Sequence, residues 1–201
     1  MVRVGIINYG VGNLGSLINA FRRVGSEPTI INEPGEFMNV NAIVLPGVGS
    51  FDAAMSRLDK FKDALTGIRG STPILGICLG LQVMFEASDE GSLSGLSWYP
   101  GRVSRLRGGP RVPHIGWDLV KSVKPCELLS DNGYFYFMHS YAVINPGSEI
   151  PYSGITHYGG DNILSVLCDE RVVTFGVQFH PEKSSKNGLE VLRRFIEIAR
   201  K

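Results

Sequence analysis

A cysteine with a glycine two residues away on either side is the residue of this chain best suited to nucleophilic chemistry. Residues 76–80 read Gly-Ile-Cys-Leu-Gly, after the apolar segment 73–75 and before a helix-like run at 81–86. This pattern is typical of a nucleophile elbow, a sharp turn from strand to helix. The helix N-terminus favours the thiolate form of Cys78. The alternative is a small buried core residue, which is the commoner state of a lone cysteine.

A histidine and a glutamate far along the chain could serve that cysteine as base and orienting acid. His180 follows an apparent strand at 174–179, and Pro181 favours extended backbone at His180. Residues two apart in an extended chain point to the same side, so Glu182 can orient the imidazole. Together with Cys78 they would form a nucleophilic triad. The alternative is a surface His-Pro turn with a solvated glutamate.

A glycine-rich loop after a third strand could stabilise a developing oxyanion. Residues 41–45 are apolar and are followed by Pro-Gly-Val-Gly at 46–49. Glycine lets backbone N–H groups turn toward a ligand without a clash from Cβ. The N–H groups of Val48 and of Leu79, which follows the cysteine, are therefore the expected oxyanion donors. The alternative is an ordinary glycine-rich turn between strand and helix.

Three sequence blocks together resemble the class I (triad) glutamine amidotransferases. They are Pro-Gly-Val-Gly at 46–49, Gly-Ile-Cys-Leu-Gly-Leu-Gln at 76–82 and Gln-Phe-His-Pro-Glu-Lys at 178–183, in the family's order. Further blocks are similar to the glutaminase subunits that serve histidine biosynthesis, and the resemblance covers nearly the whole chain. These blocks lie at 8–14, 113–117 and 136–141. One departure is Asp118, where the family more often has asparagine.

The resemblance implies hydrolysis of glutamine through a glutamyl thioester. Cys78 would attack the carboxamide, His180 would move the proton, and Glu182 would orient His180. The family's glutamine-binding positions correspond here to Gly47, Gly49, Gln82, Ser140 and Tyr141.

Other interpretations stay open for several of these residues. Gln82 could be a polar residue on the exposed side of its helix, and Ser140 and Tyr141 could be an edge-strand pair. His139 is expected to be structural or interfacial rather than a second base.

A partner subunit is implied, because the amidotransferase unit occupies nearly all of the chain. The resemblance suggests a heterodimer with a (β/α)8-barrel cyclase subunit that uses the ammonia on an aminoimidazole ribonucleotide precursor. The alternatives for the positions expected at this interface are a helix cap, a core tryptophan, a core tyrosine and a solvated lysine. Those positions are Asn13, Trp117, Tyr136 and Lys183, respectively.

Composition is that of one ordinary globular domain over residues 1–201. The apolar fraction is 43% and the net charge is +1, so nothing indicates a nucleic-acid or membrane partner. No signal-peptide pattern opens the chain. Three cysteines argue against a disulfide scaffold and suggest a reducing cytoplasm, with Cys126 and Cys168 structural. No His/Cys cluster has zinc-like spacing, so we expect neither a metal nor a cofactor.

Periodicity predicts an α/β protein with an open, mostly parallel sheet flanked by helices. The family resemblance implies that this fold is flavodoxin-like. Strands are expected near 2–8, 27–31, 41–45 and 73–77, with helices at 14–24, within 51–67 and at 79–86. The segment 97–175 has the short alternating pieces of an antiparallel β-segment, and an amphipathic helix ends the chain. A loose basic cluster at 102–111 is expected to be a solvated loop, with a partner or anion contact as the alternative.

The sequence leaves two rival functions open. The nearer one is a glutaminase subunit of another triad enzyme, serving anthranilate, guanylate or carbamoyl phosphate synthesis. The blocks at 113–117 and 138–141 argue against it. The farther one is a non-catalytic binding subunit, which would have little need of an intact Cys-His-Glu set.

Overall fold

The computed structural model describes residues 1–10, 14–108 and 111–201. Five α-helices occur in the described residues: α1 (Leu14–Arg23), α2 (Phe51–Leu58), α3 (Lys62–Ile68), α4 (Leu79–Gln82) and α5 (Ser185–Ile198). The strands in chain order are β1 (Arg3–Ile7), β2 (Glu27–Ile31), β3 (Ala42–Leu45), β4 (Ile74–Ile77), β5 (Phe85–Ser88), β6 (Tyr99–Arg105), β7 (His114–Ser122), β8 (Gly133–His139), β9 (Tyr141–Val143), β10 (Tyr152–Tyr158), β11 (Asp161–Asp169) and β12 (Thr174–Val177).

One large mixed sheet organises the molecule. Its order is β2-β1-β3-β4-β12-β11-β10-β7-β8, and a smaller sheet has the order β5-β6-β9. The pairs from β2 through β12 are parallel, whereas those from β12 through β8 are antiparallel. The predicted fold class, including an antiparallel second half, is thus confirmed.

Two apolar clusters cover the two faces of the large sheet. On one face α1 and α5 pack together through Phe21 and Phe195, whose ring centroids are 6.5 Å apart. On the other face Phe51 and Phe61 belong to the cluster formed with α2 and α3. Each such fully buried side chain contributes about 1.5–3 kcal/mol. Helices on both faces explain why the central strands are continuously apolar instead of alternating.

The helix after the cysteine is shorter than its sequence suggests. We predicted a helix over 79–86, but α4 ends at Gln82 and β5 begins at Phe85. Residues 83–85 are fully buried, and the carbonyls of Val83 and Met84 accept hydrogen bonds from Leu96 and Trp98. Tertiary pairing therefore overrides the helical pattern of this apolar run. The N-cap proposed for α1, Asn13, lies outside the described residues.

Cys126 and Cys168 form a disulfide, contrary to our expectation from the cysteine count. They are 42 residues apart in sequence, and their Cα atoms are 6.2 Å apart. Glu170 lies close to both sulfurs, but the disulfide uses the sulfurs that a metal would need. The bond ties the segment before β8 to the end of β11. The cysteines therefore give no support to a reducing compartment.

The basic cluster at 102–111 is only partly a loop. Arg102 and Arg105 belong to β6, and the guanidinium of Arg102 pairs with the carboxylate of Asp89. No helix within the described residues is long and apolar enough to span a membrane.

The disulfide should contribute measurably to stability, because it closes a loop of 42 residues in the unfolded chain. Replacing both cysteines by serine should cost about 2–4 kcal/mol and lower Tm by roughly 5–15 °C. Calorimetry of the oxidised protein and of the double variant measures this. Reducing agent should lower Tm of the wild type and leave that of the double variant unchanged. Three free thiols in protein purified without reductant would contradict the assignment.

Candidate active site

Cys78 lies on a strained turn between β4 and α4. Its φ of 51° and ψ of −105° are rare for a residue with a side chain. The flanking glycines make this turn possible: a Cβ on Gly76 would lie 2.4 Å from the Gly80 carbonyl oxygen. The sulfur is nearly buried but borders a cavity, so the turn presents the thiol where a substrate can reach it.

His180 and Glu182 lie at the end of the neighbouring strand and contact each other. β12 pairs with β4 in parallel, which brings the residues after both strands to the same edge of the sheet. His180 has extended backbone, and its Nδ1 lies 2.9 Å from Oε1 of Glu182. Burial alone would lower the pKa of His180, but the neighbouring Cys78 sulfur and Glu182 carboxylate outweigh burial and raise the pKa to about 10. Its buried Nε2 has no hydrogen-bond partner among the described residues, which leaves that nitrogen available for proton transfer.

The 46–49 loop approaches the cysteine from β3. A Cβ on Gly47 would lie 2.5 Å from Cβ of Leu79, so only glycine allows this approach. The hydroxyl of buried Tyr9 donates to the carbonyl of Pro46, and burial raises the pKa of that phenol far above its ordinary value. Tyr9 therefore holds the base of the loop as a neutral donor.

A cavity of about 280 Å³ brings most of the predicted residues together. It is lined by Cys78 itself, by both residues proposed as oxyanion donors, and by four of the five predicted glutamine-binding residues. The fifth, Gly47, packs against Leu79 beneath this lining. The lining residues are Val48, Gly49, Cys78, Leu79, Gln82, Glu90, Pro113, Met138, His139, Ser140 and Tyr141.

A buried amide pair joins the cavity to the sulfur. The side-chain amide of Gln82 donates to the Tyr141 carbonyl (2.7 Å) and to Oε1 of Gln178 (3.2 Å). Gln178 in turn donates to the sulfur of Cys78 over 3.4 Å. Gln82 is buried, so the alternative of an exposed polar residue on its helix is wrong.

Two residues of the site were not foreseen. Gln178 stands within the His-Pro-Glu block, yet its side chain contacts the nucleophile itself. Glu90 is the only acid among the described residues that line the cavity, and its Oε2 accepts from the backbone N–H of Phe51 (2.9 Å). The distance of 39 residues between Glu90 and Phe51 leaves no local sequence signal for this contact.

The described residues expected at a partner interface lie together beside the site. Trp117 is 52% exposed and packs edge-to-face on Tyr136, while the Lys183 ammonium lies 6.0 Å from the Tyr136 ring centre. The exposed position of Trp117 rules out a core role. We call Ile115, Trp117, Tyr134 and Tyr136 the aromatic patch. The Tyr136 carbonyl accepts from the backbone N–H of His180 (2.9 Å), so the aromatic patch adjoins the histidine.

Relatives of this chain are similar to it over nearly its full length. The imidazole glycerol phosphate synthase subunit HisH of Methanothermobacter thermautotrophicus is 42% identical over 201 residues, covering 98% of this chain and 99% of that protein. The subunit of the same name from Pyrococcus furiosus is also 42% identical, covering 98% and 100%. That of Pyrobaculum aerophilum is 39% identical, covering 98% and 99%.

Solved structures share the fold at much lower identity. PurLQS from Thermotoga maritima matches with a TM-score of 0.79 at 16% identity, covering 98% of this chain and 99% of that chain. The sequence model for glutamine amidotransferase class-I matches residues 5–198. With the cysteine on its elbow and the histidine and glutamate at the adjacent strand end, this match means that the chain belongs to the class I glutamine amidotransferase family.

Proposed function

We propose that this chain is a glutaminase subunit of imidazole glycerol phosphate synthase, working as one domain over residues 1–201. The observation that carries the proposal is the strained Cys78 elbow with the His180–Glu182 pair at the next strand end. The relatives of similar length are subunits of that synthase. Cytoplasmic location is part of the proposal.

The proposed mechanism uses groups already in place. The Cys78 sulfur attacks the carboxamide carbon of glutamine, and the N–H groups of Val48 and Leu79 stabilise the oxyanion. His180, held by Glu182, gives a proton to the departing nitrogen, so ammonia leaves and a glutamyl thioester remains. Water then attacks the thioester carbon and gives a proton to His180. Cys78 departs as the thiolate and glutamate is released.

We place the substrate in the cavity above Cys78. Free glutamine carries an α-ammonium group at neutral pH, and Glu90 offers the cavity's carboxylate. Gly47 and Gly49 shape the floor, while Gln82, Ser140 and Tyr141 offer polar contacts to the rest of the amino acid. Because Glu90 is fixed by the N–H of Phe51, its charge is directed before substrate arrives.

We also propose that the aromatic patch and Lys183 bind a (β/α)8-barrel cyclase subunit in a heterodimer, with Asn13 at the same interface. Ammonia that reached bulk water would be protonated and lost as a nucleophile, so the acceptor must lie close to its source. The exposed Trp117 packs on Tyr136, whose backbone carbonyl accepts from the His180 N–H, and this arrangement provides such a surface. The aromatic composition of the patch is typical of interface anchors.

An electrophilic glutamine analogue tests the reaction directly. We expect it to label Cys78 alone, since Cys126 and Cys168 are joined in a disulfide. Cys78→Ala should lower glutamine hydrolysis roughly 10⁴-fold or more. Peptide mapping and steady-state assays measure both effects. The Cys126→Ser/Cys168→Ser variant is the control and should keep its labelling. Hydrolysis that persists in folded Cys78→Ala would refute the mechanism.

Glu90→Gln tests the proposed ammonium contact. Removing the charge should raise KM for glutamine about tenfold with kcat within about twofold, because the contact is made in ground and transition states alike. Glu86→Gln is the matched control, since Glu86 is exposed on β5 and does not line the cavity. Equal KM values for the two variants would exclude Glu90 as the ammonium ligand.

Trp117→Ala tests the proposed interface. Loss of a central aromatic anchor typically costs at least about 2 kcal/mol, so Kd for the cyclase subunit should rise about 30-fold. Titration calorimetry with the cyclase subunit gives the value. Met38→Ala serves as control because Met38 is exposed and apolar but lies near β2, at the opposite edge of the sheet. Unchanged affinity of Trp117→Ala would place the interface elsewhere.

A further inference from the structure

Two buried histidines beside the cavity have no part in the mechanism above. His114 on β7 and His139 on β8 face each other in register, with Nδ1 of His114 3.3 Å from Nε2 of His139. His114 is also stacked between the rings of Phe137 and Tyr158. Burial and stacking fix the orientation of both imidazoles.

The protonation state of His139 follows from its neighbours. Its Nδ1 lies 2.9 Å from the Tyr141 carbonyl oxygen, which can only accept, so Nδ1 carries the hydrogen. Burial lowers the pKa of His139 to about 3, so the ring is neutral at ordinary pH. Nε2 then holds a lone pair and must accept from Nδ1 of His114. One backbone carbonyl thereby fixes the orientation of two imidazoles.

The same carbonyl leads to the nucleophile. Tyr141 oxygen also accepts from Gln82 (2.7 Å), and the Gln82 amide continues through Gln178 to the Cys78 sulfur. A shift of the carbonyl would therefore move the amide that lines the substrate cavity.

We propose that Asp118, His114 and His139 are positioning residues that form a hydrogen-bonded relay holding the Tyr141 carbonyl, and through Gln82 the glutamine site. The relay rests on the proposed glutaminase function for its effect on kinetics. Its hydrogen bonds are testable without any activity.

Asp118 requires an additional proton on His114. Its Oδ2 lies 3.3 Å from Nε2 of His114, and a carboxylate can only accept, so a complete relay needs protons on both nitrogens of His114. An asparagine amide could instead donate to Nε2 and complete the relay with a neutral His114.

Loss of that proton opens the relay. The titratable groups facing His114 are Asp118 on its own strand, neutral His139 on β8 and the Tyr158 ring on β10. Burial lowers the pKa of His114 and Asp118 opposes this, so the second proton should leave at lower pH than from an ordinary histidine. Above that pH one proton remains for two acceptors, and the His114–His139 bond competes with the bond to Asp118.

Nitrogen-15 NMR of the histidine-labelled chain tests the hydrogen bonds as a function of pH. We expect a neutral His139 protonated on Nδ1 throughout, and a His114 that is doubly protonated at low pH and loses one proton as pH rises. In Asp118→Asn, His114 should carry a single proton, on Nδ1, across the range. Asp63→Asn, an exposed carboxylate on α3, should behave as wild type. A His139 protonated on Nε2, or a His114 unaffected by Asp118→Asn, would overturn the relay.

Kinetics of glutamine hydrolysis with the cyclase subunit test the effect on the site. KM should rise about tenfold as the His114 proton is lost, the effect of one unpaired buried group, and should be flat in Asp118→Asn. His114→Phe keeps the ring stack but cannot donate a hydrogen bond. We therefore expect its KM to be about tenfold higher than that of the wild type with doubly protonated His114. His114→Gln can donate and should restore KM to within about threefold. Equal KM values for the Phe and Gln variants, or the wild-type pH profile in Asp118→Asn, would overturn the positioning role.

The two arms separate this inference from the proposed function. Absence of glutaminase activity in the wild-type complex would refute the function, whereas the NMR result would still decide the relay. Normal activity with unaltered KM in His114→Phe would refute the relay's positioning role and leave the function standing.

Discussion

The close approach of Gly80 to the carbonyl of Leu45 is the contact on which the site's geometry depends. A Cβ on Gly80 would lie 1.9 Å from that oxygen, and one on Gly47 would lie 2.5 Å from Cβ of Leu79. No side chain therefore fits at positions 47 and 80, where the ends of β3 and β4 meet the start of α4. The absence of side chains here brings the 46–49 loop, the cysteine and the N–H of Leu79 into one cavity. Cys78 lies in this crowded turn with a strained backbone, next to the paired ends of the parallel strands.

Sheet order then determines which other residues reach the cysteine. β12 is inserted beside β4, so the chain leaves the sheet next to Cys78 and carries Gln178, His180 and Glu182 with it. β8 forms the far edge of the sheet, yet its Tyr136 carbonyl accepts from the backbone of His180. One hydrogen bond thus links the strand that carries the aromatic patch to the proposed base. A movement of β8 on partner binding would act directly on the backbone of His180.

Much of this arrangement is legible in the sequence because its signals are local. Short apolar runs predict the strands of the parallel half, and the glycine spacing around Cys78 predicts the elbow. The predicted helix extends too far past Gln82, because the buried run 83–85 forms hydrogen bonds with residues a dozen positions away. The disulfide and Glu90 were missed for the same reason: their partners are 42 and 39 residues distant. No periodicity or motif encodes such distances, which depend on how the smaller sheet and the antiparallel half pack.

The hydrogen bonds around Gln82 constrain what it can do for a substrate. Its amide nitrogen has two hydrogens, and the Tyr141 carbonyl and Oε1 of Gln178 take both. Gln82 can therefore meet glutamine only through its own Oε1, as an acceptor. Glu90 is likewise an acceptor when ionised. Glutamine offers donors at its ammonium and its carboxamide nitrogen, and the contacts proposed for Gln82 and Glu90 would match those donors with acceptors. A ligand that replaced those donors with acceptors would set acceptor against acceptor at both side chains, which is a stronger basis for selectivity than cavity shape alone.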